Sequence, residues 1–159
     1  MTALPERLEF VTLADGRSVG GLVVCLDIGT NRKNAFETWA GPSGPDGHVV
    51  ITKADILEDA MRDKRFSPMD YGDPNADFSG RVTASIASVV VVERALKAYQ
   101  RFKVGYPFPG GYLERLEAAR LRLRELGTAR LRPELVRQEP AESGMVTCEE
   151  TLNLLEAGS

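Results

Sequence analysis

The amino-acid pattern predicts an α+β protein: an antiparallel, β-sandwich-like N-terminal part with one inserted helix, followed by a C-terminal helical hairpin. Three observations predict it. Short apolar runs separated by turn residues fill the first 53 positions, a helix-start signal lies at Thr52, and the apolar spacing changes from alternating to helical after Ser88. The 159 residues suit one domain with a helical appendage, and a hydrophobic share of 43% can fill a core without disulfides or metal. The expected organisation is a sandwich-like unit over residues 1–87, a helical hairpin over 88–138 packed on it, and an acidic tail over 139–159.

The first strand is Leu8–Leu13, ended by Ala14-Asp15-Gly16, a tight-turn signal. The second is Ser18–Ile28, in which Leu22, Val24, Leu26 and Ile28 share one face while Val23, Cys25 and Asp27 share the other. Apolar residues on both faces as far as Cys25 predict a strand covered on both sides. Ala35–Ala40 is the third strand, with Phe36 and Trp39 on opposite faces. The Pro42 and Gly44-Pro45-Asp46-Gly47 turns lead into the fourth, His48–Thr52. Thr52 then caps a helix that carries an acid, Asp55, in its first turn and ends near Arg65, before Ser67-Pro68. Ile56, Leu57, Ala60 and Met61 form its apolar stripe, and Glu58, Asp59, Arg62 and Asp63 are expected to face water. Asp70–Gly80 reads as loop and Arg81–Ala87 as the closing strand, with Val82, Ala84 and Ile86 inward.

Ser88 is the expected cap of the next helix, in which Val89, Val92, Leu96 and Tyr99 lie on one face. Tyr106-Pro107-Phe108-Pro109-Gly110-Gly111 interrupts it as a stiff connector. Tyr112, Leu116, Ala119, Leu123 and Leu126 then mark a second helix stopped by Gly127, and the pair should pack antiparallel. In the tail, Thr147-Cys148-Glu149-Glu150 matches a capping box ahead of Leu152, Leu154 and Leu155, which predicts a short amphipathic helix on a tether.

Net charge is −3, but it is segregated: residues 81–138 hold 12 Lys and Arg against 5 acids, and residues 139–159 hold 5 acids and no base. The basic stretch supplies one functional reading, nucleic-acid binding through Arg94, Lys97, Arg101, Arg115, Arg120, Arg122 and Arg124. The bland account of the same residues is the solvated face of two arginine-rich helices. The longest aliphatic run, Val89–Val92, is far short of the ~20 apolar residues of a membrane helix. Residues 1–7 lack the basic and apolar regions of a signal peptide, so a cytoplasmic protein without membrane contact is expected. Two cysteines and the single His48 cannot complete a zinc site, and Cys25 reads as a small core residue. His48 sits beside a turn at a strand start, with no nucleophile elbow in the chain. Asp73, Asn75 and Asp77 have the spacing of the first ligands of a calcium loop. The glycine and the closing Glu of that loop are replaced by Phe78 and Ala84, so turn residues bonded to their own backbone are the simpler reading. No glycine-rich phosphate loop occurs, and no cofactor is expected.

Two resemblances bear on function. Leu26-Asp27-Ile28-Gly29-Thr30, an apolar strand ending in D-I-G-T, resembles the first phosphate motif of actin-like ATPases and sugar kinases and the first strand of ribonuclease-H-like nucleases. That likeness implies metal-dependent phosphoryl transfer or nuclease chemistry with Asp27 as the carboxylate, but the later strand Arg81–Ala87 supplies no companion acid. The other covers residues 8–87. The run Gly21–Leu26, then G-P-x-G-P-D-G leading into His48-Val49-Val50-Ile51-Thr52-Lys53, resembles transthyretin-like and carboxypeptidase-regulatory β-sandwich domains. The helix inserted before the last strand and the two after it depart from that pattern. The likeness implies a non-catalytic binding or accessory module.

The sequence reading is therefore a cytosolic binding or assembly protein acting through protein–protein contacts, either with a partner or by self-association. Its expected recognition surfaces are the loop 68–77 and the connector 106–112, carrying Tyr71, Tyr106, Phe108 and Tyr112.

Overall fold

Alternating burial builds the first strand, β1 (Arg7–Ala14): Leu8, Phe10, Thr12 and Ala14 are buried and their neighbours are half-buried. The computed structural model describes residues 3–32, 36–66 and 73–154. β1 turns through Asp15 (φ 50°) and Gly16 (φ 81°), as the Asp-Gly signal predicts, into the two-residue β2 (Arg17–Ser18). The expected single strand Ser18–Ile28 is broken here. Gly20 lies so close to the backbone of residue 44 that a Cβ on it would sit 2.2 Å from that carbonyl oxygen, and Gly21 takes φ 83° against the Arg122 side chain. The chain therefore bends through the two glycines before β3 (Val24–Thr30) begins.

β4 (Phe36–Ala40) and β5 (His48–Thr52) follow, then α1 (Lys53–Phe66), β6 (Phe78–Ile86), α2 (Val89–Phe102) and α3 (Tyr112–Leu126). The two helix-start signals hold. The Thr52 hydroxyl accepts from Asp55 N–H at 3.2 Å while Asp55 accepts from Thr52 N–H at 3.0 Å. The Ser88 hydroxyl accepts from Val91 N–H at 3.4 Å. Gly127, at φ 67°, ends α3 as expected. β6 begins earlier than expected, since residues 78–80 pair as strand.

The C-terminal quarter departs most from expectation. Residues 130–139 form β7 (Arg130–Glu139), and β8 (Met145–Cys148) and β9 (Thr151–Leu152) replace the predicted tail helix. In β7, Leu131 and Pro133 are buried while Arg130, Arg132 and Glu134 point out, an alternation obscured by a central proline. Among the described residues β9 pairs with β7 only at Arg130 and Leu131, so from Pro133 onward β7 is an edge, where proline is tolerated.

The strands form two sheets. In one, β1 pairs with β7 on one side and with β2 and β5 along the other, and β9 flanks β7. In the other the order is β4-β3-β6-β8, with β8 parallel to β6. Leu8, Phe10, Val49 and Ile51 of the first sheet meet Leu26, Ile28, Phe36, Val82 and Ala84 of the second, and α1 adds Ile56 and Ala60 to this core. A second apolar cluster joins Val89, Val92, Leu96, Leu116, Ala119 and Leu123 of the helices to Leu22, Val23, Ile86 and Leu131. The helices run antiparallel: Arg124 bonds Glu93 at 2.8 Å near one end, and Tyr99 meets Tyr112 at 5.9 Å between ring centroids at the other.

The fully buried Asn153 ties the C-terminal chain to this hairpin. Its Oδ1 accepts from Val89 N–H at 2.9 Å, and its Nδ2 donates to the carbonyls of Leu123 and Gly127 at 2.9 and 2.8 Å. One amide therefore satisfies an orphan donor at the start of α2 and an orphan acceptor at the end of α3. Residues 145–153 are thus built into both sheets and the helix pair.

Candidate functional site

The connector between α2 and α3 folds back on itself. Phe108 N–H donates to the Tyr106 carbonyl at 2.9 Å, and Tyr112 N–H donates to that of Pro109 at 3.1 Å. These bonds gather the rings of Tyr99, Tyr106, Phe108 and Tyr112, with the Phe108 centroid 5.0, 4.6 and 4.8 Å from those of Tyr99, Tyr106 and Tyr112. Such tilted and offset pairs are favourable beyond their burial. The expected aromatics Tyr106, Phe108 and Tyr112 are therefore brought together by the fold, with Tyr99 as a fourth member. Tyr71 lies outside the described residues.

Three of these rings, Tyr106, Phe108 and Tyr112, line an open cleft of about 660 Å³, and Tyr99 packs against Phe108 and Tyr112 outside that lining. β4 lines the cleft over Glu37–Ala40, the end of α2 contributes Ala98 and Phe102, and α1 contributes Asp55, Glu58, Asp59, Arg62 and Asp63. Of the α1 residues expected to face water, Glu58 stays 71% exposed, while Asp59, Arg62 and Asp63 are half-buried along this cleft. Arg62, whose side chain is only 13% exposed, bonds Asp59 at 2.6 Å and Glu58 at 3.3 Å. The Thr38 hydroxyl donates to Asp59 and the Tyr106 hydroxyl to Asp63. The indole of Trp39, the single tryptophan, donates to Glu37 Oε1 at 2.7 Å. Burial, and then the bond to Asp63, push the Tyr106 phenol well above the usual tyrosine range, and burial raises that of Tyr112. Both stay neutral hydroxyls under physiological conditions. With five carboxylates against Arg62 and Arg115, the described lining is both acidic and aromatic.

The remaining candidates do not join this cleft. Asp27 is exposed on β3, with Glu37 and Thr83 as its cross-strand neighbours. The glycine of its D-I-G-T run has a packing reason: a Cβ on Gly29 would lie 2.3 Å from Ser79 Oγ, at the bulge where β3 meets β6. Asp73 and Asp77 turn their oxygens to donors of the chain. Asp73 Oδ1 accepts from Asn75 N–H at 2.9 Å, and Asp77 Oδ2 accepts from Asp73 N–H at 3.0 Å and from Arg32 Nε at 2.9 Å. This is the Asx-turn arrangement of a loop. Among the described residues, no group of three or more His, Cys, Asp or Glu side chains is placed to hold a metal ion. Cys25 lies mostly buried, and burial together with Glu37 and Asp27 drives its thiol far above the ordinary value, so it carries no thiolate nucleophile. His48 is exposed beside Asp46 at 4.0 Å.

The basic helices are partly committed inside the molecule. Arg122 donates to the Gly20 carbonyl at 3.0 Å, Arg124 pairs with Glu93, Arg115 lines the acidic cleft, and the Arg101 guanidinium lies 5.3 Å over the Phe102 ring. Among the described residues no helix is long and apolar enough to cross a membrane.

Comparison of the chain with family models, with curated proteins and with solved structures finds no match. Sequence reasoning missed the acidic residues of the cleft. The signal was present in the spacing of Asp55, Glu58, Asp59, Arg62 and Asp63 on α1, but only the tertiary packing shows that this face meets the connector.

Proposed function

We propose that this is a non-catalytic, cytoplasmic binding protein that acts through protein–protein contacts, with the cleft between α1, β4 and the connector as its recognition surface. The observation that carries the reading is the pairing of the clustered rings of Tyr106, Phe108 and Tyr112 with polar side chains around one concavity. Its volume falls in the ~300–1,000 Å³ range of binding pockets. Rigid aromatic anchors beside polar groups that fix orientation are the usual makings of a hot spot. The hydroxyls and carboxylates around the cleft are bonded to one another, which suits preorganised recognition. The transthyretin-like resemblance over residues 8–87 implies an accessory-module role of the same kind. Free thiols at Cys25 and Cys148 suit a reducing compartment.

A random-peptide display selection on the full chain, repeated on Phe108→Ala, tests the reading. Binders enriched on the parent and lost on the variant, with unchanged circular dichroism, are the expected result. No binder that depends on Phe108 would overturn it.

A further inference from the structure

We infer that the occupant of the cleft is an extended segment of a partner protein carrying basic side chains at alternate positions, with arginine favoured. The inference rests on the cleft being the recognition surface and names the chemistry that fits it. Charge is the first argument. Glu37, Asp55, Glu58, Asp59 and Asp63 line a concavity with two arginines, Arg62, already paired with Asp59 and Glu58, and Arg115, so the described lining keeps a negative excess. An acidic or phosphorylated ligand would meet like charge.

The rings supply the second argument. Trp39, Phe102, Tyr106, Phe108 and Tyr112 all border the same space, and a guanidinium is attracted to the face of an aromatic ring while its edges bond carboxylates. The chain itself shows this chemistry at the rim, where the Arg101 guanidinium lies 5.3 Å over Phe102. Carboxylates and rings bordering one space offer a guanidinium both its preferred environments at once.

Length supplies the third. From Asp55 to Asp63 is eight residues of helix, so the acidic wall runs for ~12 Å. Side chains two apart on an extended chain are ~7 Å apart and point the same way. Two to three cationic side chains at such spacing span the ~12 Å of these acids, whereas a single small cation would meet only part of them. The basic partner thus binds along α1 and places its side chains toward the connector.

The test uses the full chain and Trp39 as an intrinsic reporter. An acetylated, amidated heptapeptide of alternating glycine and arginine is titrated while tryptophan emission is followed. Parallel titrations use the same peptide with serine or glutamate in place of arginine, and guanidinium ion at matched cation concentration. Saturable change with the arginine peptide alone, weakening as salt rises, is expected. Glu58→Lys should weaken it at least tenfold and Phe108→Leu about fivefold. Glu142→Lys, which makes the same charge change outside the cleft, should leave it within twofold. Equal response to the serine or glutamate peptide, guanidinium acting as well as the peptide, or equal loss in Glu58→Lys and Glu142→Lys would each overturn the inference. Phe108-dependent binders from the display selection that carry no basic residues would sink the basic-segment assignment while leaving the cleft as the recognition surface. The absence of any such binder is instead the failure of the binding reading itself.

Discussion

The two ends of the α2–α3 hairpin are built differently. At the end near Val89 and Gly127, Asn153 is fully buried and spends its amide on three backbone groups, while Leu123 and Leu131 pack beneath it. At the end near Phe102 and Tyr112 the helices are joined by a connector whose rings are half-buried, with Val104 96% exposed and a cleft between the connector and α1. One end is satisfied entirely from within the chain. The other lines an open cleft with half-buried rings and a net excess of carboxylates. The difference separates the residues that hold the fold from those left available for recognition.

The contrast is sharpest if the locked end is broken. A chain ending at Gln138 loses β8, β9 and Asn153, and should fail to fold, giving an unfolded circular dichroism spectrum. Asn153→Ala leaves Val89 N–H and two carbonyls buried without partners, which should cost about 3 kcal/mol in urea denaturation. At the open end, Tyr106→Phe removes one hydrogen bond to Asp63 and should cost about 1 kcal/mol.

The same substitution has a pH signature. The Tyr106 phenol is held above its unfolded value near 10, so the folded chain keeps a proton that the unfolded chain releases. Its contribution is complete below pH ~10 and falls as pH rises further. Denaturation midpoints followed upward from pH 9 should therefore decline more steeply for the parent than for Tyr106→Phe. Parallel declines would remove Tyr106 as their source. Val104→Ser, on the exposed connector, should change stability by less than about 0.5 kcal/mol.

The same two ends show what the sequence could reveal. Signals that act within a few residues were legible: the Thr52–Asp55 box, the Ser88 cap, the Asp15-Gly16 turn and the Gly127 stop each describe a local bond or dihedral. The α+β sandwich with its helix pair was legible for the same reason, since alternation and helical spacing run through β1, β5, α2 and α3. The tail was not. Met145–Cys148 is too short to show a period, and its strand state comes from parallel pairing with β6 more than sixty residues earlier. The Thr147-Glu150 pattern is a local helix signal that long-range pairing overrides. The cleft was half legible. Proline, glycine and rings marked the connector, but the acids of α1 read as an ordinary solvated face because nothing local says what lies opposite them.

Backbone-amide correlation spectra of the full chain, titrated with the alternating arginine peptide, test the recognition claim most directly. The account predicts saturable shifts confined to residues 37–41, 55–63, 98–102 and 106–116, with the Trp39 indole among the largest. Shifts centred on the outer helix face at Arg94, Lys97 and Arg120, with the Trp39 indole unmoved, would contradict it.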